Sequence, residues 1–356
     1  MKNLMFIVSS LAGGGAERVT VNLCSALCAR YDVTLVTLFS NADSYTPDKR
    51  VKIVRYSDYV QKKPWIIRKA MKAAGYLPRF IWVRSVKKAV KPAATVSMLS
   101  LPNIINAAVS CGDFRIVSER ADPEVIGGRY MRYARLAMEG ADHVVFQSKR
   151  VQNMFPHRIQ RKSSVILNPV AVEVRASEQK EKRIVTAGRL TDQKNHRLLI
   201  RAFARFSESH PDHVLEIYGS GPLKEDLEIM SAAPELSGRV RLIEFSHDLH
   251  ERIRSAEMFV LSSDFEGLSN ALLEAMMMGL PCISTDCAGS DEVIISMKNG
   301  ILVPAGDEEA LKEAMTRLAD DAELRERIAD EAQKSSQRFH ADTVTDQWIK
   351  LIEENS

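Results

Sequence analysis

The sequence contains no run of 18 apolar residues, so no segment reads as a membrane span. It has no D-x-D, the usual short carboxylate pair for Mg²⁺. It has no C-x-x-C either. Its five cysteines, Cys24, Cys28, Cys111, Cys282 and Cys287, are odd in number, and Cys24 and Cys28 fall at helical spacing as small core residues. A reduced, cytosolic chain without zinc or a disulfide framework is expected. His210 and His213, and His247 and His250, are i, i+3 pairs with no third ligand nearby, so no metal site is expected there. The dinucleotide fingerprint is also missing. Gly13, Gly14 and Gly15 follow the first strand-like run, but Arg18 stands where the third glycine would be. The second strand-like run ends V-T-L-F-S, without the acid that holds a ribose, which argues against hydride transfer. The opening apolar run spans only Leu4 to Val8 before the glycine loop, and reads as a first strand rather than an export signal.

A chain of 356 residues exceeds one ordinary core and predicts two domains. Its charge is divided. Residues 1–170 hold 27 Lys+Arg against 11 Asp+Glu, and residues 171–356 hold 22 against 35. A basic half joined to an acidic half implies different partners for each. Strand-like runs alternate with helix-like runs: Leu4–Val8, Val33–Phe39, Thr95–Leu99, Arg115–Ser118, His143–Phe146 and Ser164–Leu167 in the first half. The series restarts at Arg183–Ala187 and continues through Val214–Tyr218, Val240–Ile243, Met258–Leu261 and Pro281–Thr285. This pattern predicts βαβ units, parallel sheets and two doubly wound domains facing a cleft. The expected divisions are 1–170, 171–335 and a helical tail, 336–356.

The stretch E-G-L-S-N-A-L-L-E-A-M-M-M-G-L-P places Glu266 in a loop and Glu274 in the helix that follows. Ser269 or Asn270 is a good N-cap, and Gly279 with Pro281 stops the helix. Eight residues of helix rise ~12 Å, so the two carboxylates are spaced to grip two parts of one elongated ligand. Between them the helix start offers the N–H groups of Gly267, Leu268 and Ser269 to an anion. Acid, anion seat, acid fits sugar, diphosphate and ribose, that is, a nucleotide-sugar. T-A-G-R-L-T-D-Q-K-N adds Arg189 and Lys194 just past a strand end. Such cations stabilise a departing diphosphate without a metal. The Gly13–Gly15 loop is expected to face phosphate or substrate.

E-G-L-S-N-A-L-L-E-A-M resembles the E-x7-E region of family 4 retaining glycosyltransferases. T-A-G-R-L-T-D-Q-K-N is similar to that family's Arg/Lys segment, Y-G-S-G-P-L-K-E-D-L-E to its G-x-G-P element, and N-G-I-L-V-P to its late turn. The glycine-rich A-G-G-G-A-E-R-V fits as well. The resemblance implies a GT-B fold of two Rossmann-like domains, with a final helix near Asp342–Glu354, anchored by Trp348, crossing back to the first. It places Glu266 beside the donor sugar, Arg189 and Lys194 on the diphosphate, and Glu274 on the ribose hydroxyls. Gly267, Leu268 and Ser269 offer N–H groups, Gly14 and Gly15 face the diphosphate, Gly221 lies in the donor site, and Phe245 and Ser246 lie near the base. Where relatives keep a first-domain His, this chain reads V-S-E-R-A-D-P. Glu119 and Arg120 therefore become the acceptor candidates, and an Arg cannot act as a base.

Tyr59 to Lys91 holds ten Lys/Arg and no acid, interleaved with Trp65, Tyr76, Phe80 and Trp82. Two amphipathic helices broken at Gly75–Pro78 suit an anionic membrane surface. No nucleic-acid motif accompanies the charge. The expected function is a metal-independent, retaining glycosyltransferase with no cofactor, peripheral on the inner face of the cytoplasmic membrane. It would move a hexose or N-acetylhexosamine from a UDP-sugar to a saccharide or polyprenyl-diphosphate-linked acceptor in bacterial surface glycan assembly. The alternatives are a nucleotide-sugar epimerase on the same fold and a non-catalytic nucleotide-sugar-binding subunit.

Overall fold

The computed structural model of the chain describes residues 1–40, 42–120, 128–236, 238–244, 246, 248–287 and 289–356. It divides into two compact units, Met1–Pro169 with Ala341–Ser356, and Val170–His340.

The first unit is built on β1 (Asn3–Val8), β2 (Asp32–Thr37), β3 (Lys52–Arg55), β4 (Ala94–Met98), β5 (Phe114–Ser118), β6 (His143–Phe146) and β7 (Ser163–Val165). Every pairing is parallel, in the order β3-β2-β1-β4-β5-β6-β7. Leu4 to Val8 is buried on both sheet faces, which explains why it reads as an unbroken apolar run and not as an alternation. The helix Ala341–Glu353 packs in this unit against the helix Gly15–Leu27. Val344, Trp348 and Ile352, one helical stripe, are fully buried. The end of that helix is tied by Arg30 to Glu353 at 3.2 Å, and the chain terminus by Lys2 Nζ donating to Ser356 O at 2.7 Å.

The second unit carries β8 (Glu181–Ala187), β9 (Val214–Tyr218), β10 (Val240–Ile243), β11 (Ala256–Leu261), β12 (Cys282–Thr285) and β13 (Ile301–Val303). Its parallel order is β10-β9-β8-β11-β12-β13. The helix His196–Ser209 inserts Leu199, Phe203 and Phe206 beneath the sheet. Each such side chain contributes about 1.5–3 kcal/mol by leaving water.

Both sheets reverse their direction of growth beside their first strand, between β1 and β4 in one and between β8 and β11 in the other. Connections after the two strands at such a point leave in opposite directions and open a crevice at the carboxyl edge. The edge strands β3 and β13, four and three residues long, fall below what an apolar pattern signals. The helical stretch from Glu308 to Glu353 is interrupted twice. Asp321 caps a new helix by accepting from Leu324 N at 2.9 Å, and a 3₁₀ turn, Ser336–Phe339, precedes the last helix.

Candidate functional site

The predicted donor residues of the second unit gather at its switch point. Gly188 to Lys194 leave β8, and Ser262 to Ser269 leave the neighbouring β11. Backbone and side chains stitch the two connections together. Asp264 N donates to Gln193 O at 2.9 Å, Ser262 Oγ to Lys194 O at 3.0 Å, and Asn195 Nδ2 to Asp264 Oδ1 at 2.7 Å. Asn195 sits in the left-handed region (φ 41°), which Asn tolerates, and also caps the next helix through Leu198 N at 3.1 Å.

This framework brings Lys194 and Glu266 into direct contact. Lys194 Nζ donates to Glu266 Oε1, and Ser263 Oγ donates to the same oxygen at 2.9 Å. Gln193 Nε2 reaches Phe265 O at 3.1 Å and Glu266 Oε2 at 3.5 Å. Glu266 is buried and Lys194 is half-buried, so the pair lies in a partly dry environment where its charges act strongly. Arg189 is exposed at the same strand end. Just behind it, burial and the Lys194 charge hold the His196 imidazole neutral down to about 4.

Two glycines fix the strand-end loop by close approach. Gly188 N donates to Tyr218 O and Leu190 N to Ser220 O, both at 2.9 Å. A Cβ on Gly219 would lie 1.9 Å from Gly188 O, and one on Gly221 would lie 2.5 Å from Leu190 O. Gly221 thus presses the G-S-G-P turn onto the Arg189 loop. A third glycine, Gly289 (φ 100°), does the same for the other connection, since its Cβ would sit 2.0 Å from Gly267 O.

The helix Asn270–Met278 begins at the Ser269 cap and ends at Gly279 in the left-handed conformation (φ 82°). Leu268 points into the protein and is 6% exposed. Ser269 Oγ is buried without a hydrogen-bond partner among the described residues. Glu274 is buried on the same helix, and His250 Nε2 lies 3.2 Å from its carboxylate. Ser246 directs its hydroxyl to Asp248. Phe245, the other candidate for the base, lies outside the described residues.

In the first unit Gly14 caps the helix Gly15–Leu27, and Gly13 N donates to Ser44 Oγ at 3.1 Å. The Glu17 carboxylate folds back over Gly14, where an added Cβ would meet Oε2 at 2.1 Å. An anion arriving at this helix start has to displace Glu17. Glu119 and Arg120 follow β5 and are both buried. Arg120 N donates to Glu119 Oε1 at 3.0 Å, and its guanidinium donates to Asn168. Burial, opposed by Glu119, pushes that guanidinium down to about 9, so it stays charged at neutral pH. Arg120 Nε and Nη2 find no hydrogen-bond partner among the described residues.

Sequence reasoning missed Gln193, Ser263, His250 and Gly289. Of these only Gly289, four residues past the end of β12, is a residue type that signals a special backbone position. The histidines considered for metal have other occupations: His210 stacks on Phe206 at 4.3 Å and His213 lies 2.7 Å from Glu257. His247 is outside the described residues.

Residues 171–335 match the family of glycosyl transferases described as group 1. Among curated proteins, the chain is 24% identical to the GalNAc-alpha-(1->4)-GalNAc-alpha-(1->3)-diNAcBac-PP-undecaprenol alpha-1,4-N-acetyl-D-galactosaminyltransferase of Campylobacter jejuni, covering 99% of each. It is also 24% identical to that organism's N-acetylgalactosamine-N,N'-diacetylbacillosaminyl-diphospho-undecaprenol 4-alpha-N-acetylgalactosaminyltransferase, over 99% of this chain and 100% of the relative. Among solved structures, HepE of Anabaena in complex with UDP superimposes with a TM-score of 0.82 at 18% identity, over 99% of this chain and 100% of that one.

Proposed function

We propose that this chain, a glycosyltransferase of the GT-B fold, takes its sugar from a UDP-sugar and passes it, with retention and without a divalent ion, to a polyprenyl-diphosphate-linked saccharide. The observation that carries this reading is the Lys194–Glu266 pair held across the two strand-end connections of the β8/β11 switch point. UDP bound to HepE and the undecaprenyl-linked substrates of the Campylobacter relatives support the donor and acceptor classes. Retention rests on the family resemblance.

In this reading the bond from the anomeric carbon to the β-phosphate oxygen breaks, and the diphosphate gains negative charge. Lys194 and Arg189 meet that charge, together with the N–H groups of Gly267, Leu268 and Ser269. Fixed cations and amides of this kind act where charge develops and need no reorganisation. Glu266 sits beside the sugar as carbon becomes positive. Glu274, a helix turn deeper, takes the ribose hydroxyls. Gly14 and Gly15 open a helix in the first unit whose N–H groups suit an anion once Glu17 has moved aside. Glu119 and Arg120 are assigned to the acceptor, where the Arg120 Nε and Nη2 donors, without a partner among the described residues, fit a phosphate or sugar oxygen. The protein would work as a peripheral protein on the inner face of the cytoplasmic membrane.

The test is release of UDP from a panel of UDP-sugars, with and without bacterial lipid extract. Acceptor-dependent release supports the reading. Conversion of the donor without acceptor would make the protein an epimerase, and binding without turnover would make it a donor-binding subunit.

A further inference from the structure

Between Tyr59 and Lys91 the sequence has ten cations and no acid, and the fold sorts them. Trp82 turns inward and meets Tyr56 edge to face at 5.2 Å. Lys87 is fully buried against Asp113 at 2.7 Å. The Arg79 guanidinium lies over the Phe39 and Tyr56 rings at 4.6 and 4.7 Å. These side chains, expected at the surface from sequence, instead fasten the segment to the sheet.

What remains outside is apolar. Trp65, Ile66, Leu77 and Ile81 are 61–65% exposed, and Ile67 and Tyr76 stand out beside them. The helix Trp65–Ala73 has no buried residue. Protein surfaces expose such residues singly, and a group of six within one short segment marks a contact site. The cations are placed around them by helical spacing. On the helix Leu77–Val90, Leu77 and Ile81 lead into Arg84 and Lys88 along one stripe, so the exposed face passes from apolar to basic. On Trp65–Ala73, the stripe of Trp65, Lys69 and Lys72 runs beside that of Ile66 and Ala70.

We propose that this face docks on an anionic lipid bilayer, with the six apolar side chains entering the boundary between headgroups and acyl chains and the cations resting on lipid phosphates. No helix among the described residues is long and apolar enough to cross a membrane, so the helices lie in the interface. A second copy of this chain is the poorer occupant. A two-fold interface sets the same patch against itself, and here it would oppose two acid-free, cationic surfaces. The inference rests on the lipid-linked acceptor proposed above and adds the residues by which the protein meets the lipid.

The test uses the full chain and vesicles of phosphatidylcholine with or without phosphatidylglycerol. Of three tryptophans, Trp82 and Trp348 are buried, so Trp65 reports. Its emission should shift to the blue with anionic vesicles, and the shift should vanish in Trp65→Phe. Co-sedimentation should favour anionic over neutral vesicles by at least ~10-fold. Ile66→Ser with Leu77→Ser should lower it by a similar factor while leaving Tm unchanged, since both side chains are already in water. Absence of vesicle binding, or equal binding by the double variant, overturns the proposal. So does a solution dimer that the double variant dissociates. Transfer to a detergent-dispersed acceptor separates the two readings. Vesicle binding without sugar transfer refutes the reaction and leaves the surface, and transfer without vesicle binding does the reverse.

Discussion

Lys194 donates to the carboxylate of Glu266 across 72 residues of sequence, from one side of the β8/β11 switch point to the other. The contact has two consequences. It holds both groups at the strand ends, and in the proposed reading an incoming diphosphate competes with Glu266 for the same ammonium.

In the proposed reading, Lys194→Ala removes a cation that acts most when the leaving group is charged. Its kcat should fall about 10²-fold, more than its donor affinity changes. Glu266→Gln keeps the shape and the Ser263 contact but removes the charge. It should lower kcat by a similar factor while donor binding stays within ~3-fold. UDP-release kinetics and calorimetry on each variant decide it, and equal losses in kcat and affinity would count against the assignment.

Glu274→Ala should weaken donor binding about 10-fold, the loss expected for a charge-assisted hydrogen bond to a hydroxyl. His250, 3.2 Å from that carboxylate, orients it, so His250→Ala should cost less affinity than Glu274→Ala. Titration calorimetry with UDP-sugar measures both, and an unchanged Kd for Glu274→Ala removes it from the site.

In the first unit, Lys87 Nζ donates to Asn106 Oδ1 and Val109 O at 2.8 Å and to Asp113 at 2.7 Å, with no solvent contact. Lys87→Met leaves a buried carboxylate unpaired and should destabilise this unit by about 3–5 kcal/mol. Lys87→Met with Asp113→Leu should recover much of that. Denaturant unfolding of single and double variants shows it, and a single-variant loss below ~1 kcal/mol would contradict it.

The His196 imidazole is neutral in the fold down to about 4, against an ordinary 6.5. Between those values the unfolded chain binds the proton and the folded chain does not, so stability is complete above 6.5 and falls as pH drops toward 4. The full loss is on the order of 3 kcal/mol. His196→Gln should flatten this part of the Tm–pH curve, and a slope equal to that of the parent would contradict it.

The alternation of buried strands with amphipathic helices made both parallel sheets legible, because all-parallel strands need continuous apolar runs. The helix bearing Glu274 was legible from its own cap and stop, Ser269 and Gly279. Other features depend on contacts that no local pattern encodes. Ser263, Gln193 and His250 are ordinary surface residue types until the fold sets them beside Glu266 and Glu274. Trp82 and Lys87 share a basic, aromatic stretch with Trp65, and only the packing of the helix on Tyr56 and Asp113 separates those inside from those outside. At Gly221, read as lying in the donor site, the fold adds a demand that no local pattern encodes: a Cβ there would lie 2.5 Å from Leu190 O.

The central claim is that Arg189, Lys194 and the amides at the start of the Asn270–Met278 helix neutralise the departing diphosphate. The most direct measurement is initial rate of sugar transfer in excess EDTA, with and without added Mg²⁺. The account predicts equal rates; transfer abolished by EDTA and restored by Mg²⁺ would contradict it.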